Sequence, residues 1–144
     1  MTEQNTIRLD NGTEYQGEVV DGKPHGLGVL KDGKGTVYEG QFNNGKFDGK
    51  GTLTQANGIT YVGDFKENMF DGLGTLRQGN DSFYAGEFKN NQFHGQGVLT
   101  QSDGSKWEGG FLNGAMHGPG LIVLPDGRRI SGSFSDGVFL EAAQ

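Results

Sequence analysis

The chain has no cysteine, only 3 prolines and 1 tryptophan, and no apolar run approaching the roughly 18 residues that a membrane-crossing helix needs. Without cysteine there is no disulfide framework, no thiolate metal site and no thiol nucleophile. Scarce proline, and glycine that keeps no triplet spacing, exclude collagen. The N-terminal stretch MTEQNTIRLDNGTEY has neither a basic nor an apolar signal segment, so a soluble, cytoplasmic protein is expected. Positive charge is also short: 12 Lys and Arg stand against 18 Asp and Glu, a net charge of −6. That balance disfavours nucleic acid and anionic membrane surfaces as partners. Hydrophobic residues make up only 32% of the 144 residues, little for a compact core. What is plentiful is glycine, 28 residues, roughly threefold the ordinary usage. Ten Phe and four Tyr accompany it, too many aromatics for a disordered chain.

The glycines and aromatics recur with a period of 23 residues. Tyr15, Tyr38, Tyr61, Tyr84 and Trp107 occupy position 1, followed by Ile130. Position 3 is Gly from Gly17 to Gly132, and position 5 holds Val19, Phe42, Phe65, Phe88, Phe111 and Phe134. Position 10 holds Pro24, Phe47, Phe70, Phe93, Met116 and Phe139, and position 16 holds Leu30, Leu53, Leu76, Leu99 and Ile122. Positions 12 and 14 are Gly in all five complete units. The units run 15–37, 38–60, 61–83, 84–106 and 107–129, with partial units at 6–14 and 130–144, so residues 1–144 read as a single repeat domain. The terminal units depart most from the pattern, as capping repeats do.

Apolar positions 1 and 5, then 10 and 16, are period-2 spacing whose phase flips once, which signals two strands and a turn. The flip falls on Asn43-Asn44-Gly45-Lys46 and its counterparts, and Asn-Gly favours a two-residue hairpin turn at positions 7 and 8. A plain hairpin then opposes 5 to 10, 3 to 12 and 1 to 14, placing Phe42 opposite Phe47, Gly40 opposite Gly49 and Tyr38 opposite Gly51. Positions 1, 3, 5, 10, 12, 14 and 16 share one face, and each Tyr ring covers bare glycine backbone. The rival register, with a bulge in the turn, buries the His or Asp of position 11 instead of Phe and is disfavoured. Between units, Asn57-Gly58 and Pro125-Asp126-Gly127 suit a three-residue loop that opposes Leu53 to Tyr61. The expected fold is all-β: an elongated, single-layer antiparallel meander of repeated 23-residue hairpins.

The columns read Y-x-G-x-F-x-x-G-x-x-(H/D)-G-x-G, as in YEGQFNNGKFDGKG and YAGEFKNNQFHGQG. This resembles the MORN (membrane occupation and recognition nexus) repeat family over nearly the whole chain. The resemblance implies twisted sheets of hairpins that serve as scaffolds, dimerisation modules or partner-binding domains, with phosphoinositide binding proposed for some members. It brings no catalytic domain.

His25, His94 and His117 share position 11 with Asp48 and Asp71. Equivalent positions lie two strands apart, about 10 Å, too far to share a metal, so these side chains are expected to bond to strand or turn backbone. Asp48, Asp64, Asp71 and Glu87 are expected on the solvent face, without the burial that a catalytic carboxylate needs. The Gly-x-Gly strings precede no helix and are not phosphate loops. No cofactor and no enzymatic activity are expected. A lipid surface is the alternative partner, but position 9 begins with Lys23 and Lys46 and then loses its charge. The leading expectation is an interaction or scaffold module. Its groove is formed by Tyr38, Phe42, Phe47, Tyr61, Phe65, Phe70, Tyr84, Phe88, Phe93, Trp107 and Phe111, and it binds a partner protein or a second copy as a homodimer. One layer offers nothing to cover these rings.

Overall fold

The computed structural model describes residues 3–79 and 81–142, with side chains described from residue 5 to residue 140 among them. These residues form no helix. They form strands β1 (Glu3–Arg8), β2 (Glu14–Val20), β3 (Lys23–Lys31), β4 (Val37–Asn43), β5 (Lys46–Thr54), β6 (Thr60–Lys66), β7 (Met69–Arg77), β8 (Phe83–Lys89), β9 (Gln92–Thr100), β10 (Lys106–Leu112), β11 (Ala115–Val123), β12 (Arg129–Ser135) and β13 (Val138–Ala142). In the sheet each strand neighbours the next in chain order, an open antiparallel meander. Backbone contacts group the chain into two units, Met1–Phe70 and Asp71–Gln144, built on the same pattern.

Both expected turns form. Asn44 and Gly45 take φ of 52° and 85°, with Asn43 opposite Lys46. Two positive φ angles make a type I′ turn, whose twist matches that of the flanking strands. At the return, the Gln55 N–H donates to the Ile59 carbonyl at 2.8 Å and the Gly58 N–H to the Gln55 carbonyl at 3.0 Å. Leu53 therefore faces Tyr61, as expected.

Inside the hairpin the register departs from expectation. Phe42 faces Phe47, but Gly40 then faces Gly51 and Tyr38 faces Leu53, rather than Gly49 and Gly51. Gln41 of β4 is matched by Asp48, Gly49 and Lys50 of β5, and equivalent shifts interrupt β2/β3, β8/β9 and β10/β11. The cause is the position-12 glycine: Gly49 has φ of +96°, a conformation that carries the chain through a bulge and that side chains rarely adopt. Because the slip amounts to two residues, it leaves side-chain parity intact. The aromatic columns thus share a face despite the altered pairing.

The glycine columns divide by task. A Cβ on Gly51 would clash with the hydroxyl and ring of Tyr38, and one on Gly40 would stand 2.5 Å from the Gly51 Cα. Positions 3 and 14 make room for the ring, whereas position 12 makes the bulge.

These roles separate in stability measurements by denaturant titration. Gly51→Ala is expected to destabilise by about 3 kcal/mol through overpacking. Gly45→Ala, with nothing within 4 Å of the new carbon, should cost only about 1 kcal/mol, from its positive φ. Glu67 holds φ of 48° in the equivalent turn, so Glu67→Asn should stabilise by roughly 0.5–1 kcal/mol. Equal losses at Gly51 and Gly45 would contradict the assignment.

Candidate functional site

A one-layer sheet has no second layer to bury its aromatics, and the rings solve this among themselves. In the first unit Tyr38 stacks on Phe47, centroids 3.8 Å apart and planes 7° from parallel. The edges of Phe42 and Phe65 close on Tyr38 from either side, each at 5.0 Å. Phe65 belongs to the next hairpin, so Tyr38 is roofed by its own repeat and walled by its neighbour. In the second unit Tyr84 stacks on Phe93 at 4.0 Å, between Phe88 and Phe111 at 5.0 Å each. The edge-to-face contacts suit the ring quadrupoles. Tyr38 is 0% exposed and Tyr84 1%.

The expected groove must therefore be corrected. Tyr38, Phe42, Tyr61, Phe65, Tyr84, Phe88, Trp107 and Phe111 are buried core, while Phe47, Phe70 and Phe93 remain half-buried. The first eight rings cannot offer a surface to a partner without leaving the core. Their mutual packing, which parity alone could not foretell, is what removes them.

The bulge has its own polar fittings. Tyr38 donates its hydroxyl to the Gln41 carbonyl at 2.7 Å, and Tyr15, Tyr61 and Tyr84 make the same bond to Glu18, Asp64 and Glu87. Trp107 replaces it with its indole N–H, 3.1 Å from the Gly110 carbonyl. The Gln41 Oε1 accepts the Lys50 N–H at 2.8 Å, and the Glu87 carboxylate accepts the Gln96 N–H at 2.6 Å. Position 4, expected to be merely solvated, thus closes the interrupted ladder on both its backbone and its side chain. Burial raises the Tyr38 and Tyr84 hydroxyls from 10.0 to about 12, assisted by the nearby carboxylates of Asp48 and Glu87 respectively.

Positions 2, 4, 13 and 15 look out from the reverse face, where apolar side chains stand in the open. Leu27 is 58% exposed and Leu73 63%, and Val62 is exposed as well. In the first unit this face carries a depression of about 460 Å³, lined by Gln16, Glu18, Leu27, Val29 and Glu39 over the backbone of Gly17, Gly28 and Gly40. Leu27 and Leu73, both at position 13, are the sequence signal for this exposed face.

A 23-residue unit with a buried aromatic, a glycine bulge and stacked hairpins has a match among known proteins. The family model described as MORN repeat matches residues 15–37, 38–60, 61–82, 84–106 and 107–128. The chain belongs to the MORN repeat family. Comparison with curated proteins finds no match. MORN repeats are generally non-catalytic, and membership suggests a binding or membrane-associated module.

The position-11 ladder of these MORN repeats joins consecutive hairpins. The Nδ1 atoms of His25 and His117 accept the N–H of Asn44 and Asp136, and Asp48 and Asp71 accept those of Glu67 and Asn90, across 3.3–3.4 Å. Each acceptor meets the turn of the following repeat. Beside it, the Gly45 N–H donates to the Pro24 carbonyl at 2.9 Å and the Asn68 N–H to the Phe47 carbonyl at 2.9 Å. The expected backbone-supporting task of these His and Asp residues is met at four of the five positions by these bonds.

The raised tyrosines give a pH signature. Folded Tyr38 and Tyr84 keep protons that the unfolded chain releases above pH 10, so stability is full below that pH and falls as pH rises from about 10 to about 12. Tyr38→Phe with Tyr84→Phe should flatten this fall in alkaline urea titrations. At neutral pH the pair should cost about 1 kcal/mol per lost hydrogen bond. An unchanged alkaline profile would show that these hydroxyls are not the titrating groups.

Proposed function

We propose that this MORN protein is a non-enzymatic, cytoplasmic interaction module that holds a partner protein against the reverse face of its sheet. The observation that carries the reading is the exposure of Leu27 and Val62 on that face in the first unit and of Leu73 in the second, while eight of the eleven expected groove rings are buried. Isolated exposed aliphatics are ordinary; these lie on repeat positions of one face, and Leu27 borders an open depression of about 460 Å³. Hydrogen bonds between consecutive hairpins support a pre-organised surface, which lowers the entropic cost of binding. An anionic membrane fits less well, because Glu18 and Glu39 border the depression and the chain carries −6.

Leu27→Glu combined with Leu73→Glu alters only exposed side chains and should leave the fold intact by circular dichroism. Affinity capture from source lysate, quantified by mass spectrometry against the wild type, should then lose its retained proteins by about tenfold or more. Identical capture by both chains would remove the reverse face from the account. Pelleting of the wild type with phosphatidylserine vesicles at physiological salt would favour the lipid reading, and light scattering would reveal whether the partner is a second copy.

A further inference from the structure

The depression in the first unit carries chemical information of its own. Val29 of β3 is flanked across the ladder by Gln16 of β2 and Glu39 of β4, so its methyl groups lie between two polar side chains. Leu27, on the same strand and face, stands opposite Gln41. Glu39 is exposed and Glu18 half-buried, and neither makes an ion pair among the described residues. The same face also carries Lys31, two residues beyond Val29 on β3 and opposite Glu14, while Arg8 is paired with Glu14 at 3.0 Å and the Lys50 ammonium with Asp64 at 2.6 Å. The slot thus combines the aliphatic side chains of Leu27 and Val29, a floor of glycine backbone and two carboxylates that make no ion pair among the described residues.

Resting on the interaction-module reading, we propose that this slot receives a Lys or Arg of a partner polypeptide. Its aliphatic stem lies on Leu27 and Val29 and its cationic head lies between Glu18 and Glu39. A long basic side chain is the residue type that matches both parts, apolar along its methylenes and charged at its tip. Charge-assisted hydrogen bonds to a carboxylate are about twice as strong as neutral ones. The acidic chain also attracts a basic segment at long range and speeds its encounter. A neutral apolar segment would bury Glu18 and Glu39 uncompensated, and an acidic one would be repelled.

The test uses a random peptide library displayed on phage, selected on the whole wild-type chain, with the best peptides synthesised for fluorescence titration. The comparison variant carries Glu18→Gln and Glu39→Gln. Gln41 already fills the position equivalent to Glu18 in the next repeat, so this variant should keep the fold, checked by circular dichroism. Selected peptides should carry Lys or Arg beside apolar residues, lose about tenfold or more in affinity for the double variant, and weaken as salt rises. Neutral or acidic peptides that still lose binding to Leu27→Glu would overturn the basic-residue proposal while leaving the module reading in place. Basic peptides that bind the double variant as tightly as the wild type would overturn it too. A library that yields no peptide dependent on Leu27 would sink both.

Discussion

The structure depends on one contact, the tyrosine ring laid over the glycines of its own hairpin. Tyr38 can lie flat only because Gly51 and Gly40 have no β-carbon, and its hydroxyl reaches the Gln41 carbonyl only because the ladder is interrupted there. The ring in turn gives Phe47 a surface to stack on and Phe42 and Phe65 a face to abut. Burying a tyrosine with an unsatisfied hydroxyl would cost much of what its area contributes. Here apolar burial, polar satisfaction and backbone geometry meet at one residue, and the repeat copies the solution.

Coupling between repeats follows from the same contact. Within each unit a phenylalanine at position 5 packs on the tyrosine of the preceding repeat, as Phe42 does on Tyr15, Phe65 on Tyr38 and Phe111 on Tyr84. Position 11 bonds the next turn through His or Asp, two residue types that share an acceptor and little else. Stability in such an array is close to a sum of unit and nearest-neighbour terms. The buried aromatics are assembled on one side of the sheet, while the other side carries the position-4 and position-11 side chains that bond to strand and turn backbone.

Much of this was legible in the residues. The 23-residue period, the Asn44-Gly45 turn, the Gln55–Ile59 loop and the shared face of the aromatics all follow from spacing and turn chemistry. The two-residue slip at Gly49 was not legible, because a pattern of faces is blind to any even shift in register. Nor was the position-4 bond from Gln41 to Lys50, whose purpose exists only once the bulge does. Nor was the burial of the aromatic side, which a count of layers leaves exposed. Rings from successive hairpins make their own cover, and Tyr61 ends with no exposed surface at all.

By itself the sequence determined the repeat, the strand alternation, the turns and the family, since each is a local or periodic property that residue spacing states directly. Tertiary structure alone decided which glycine opposes which, which rings are lost to solvent and where an open surface remains. Those outcomes depend on contacts between residues far apart in the chain, such as Tyr38 with Phe65 or Val29 with Glu39. Parity assigns a side chain to a face; only packing determines whether that face meets water.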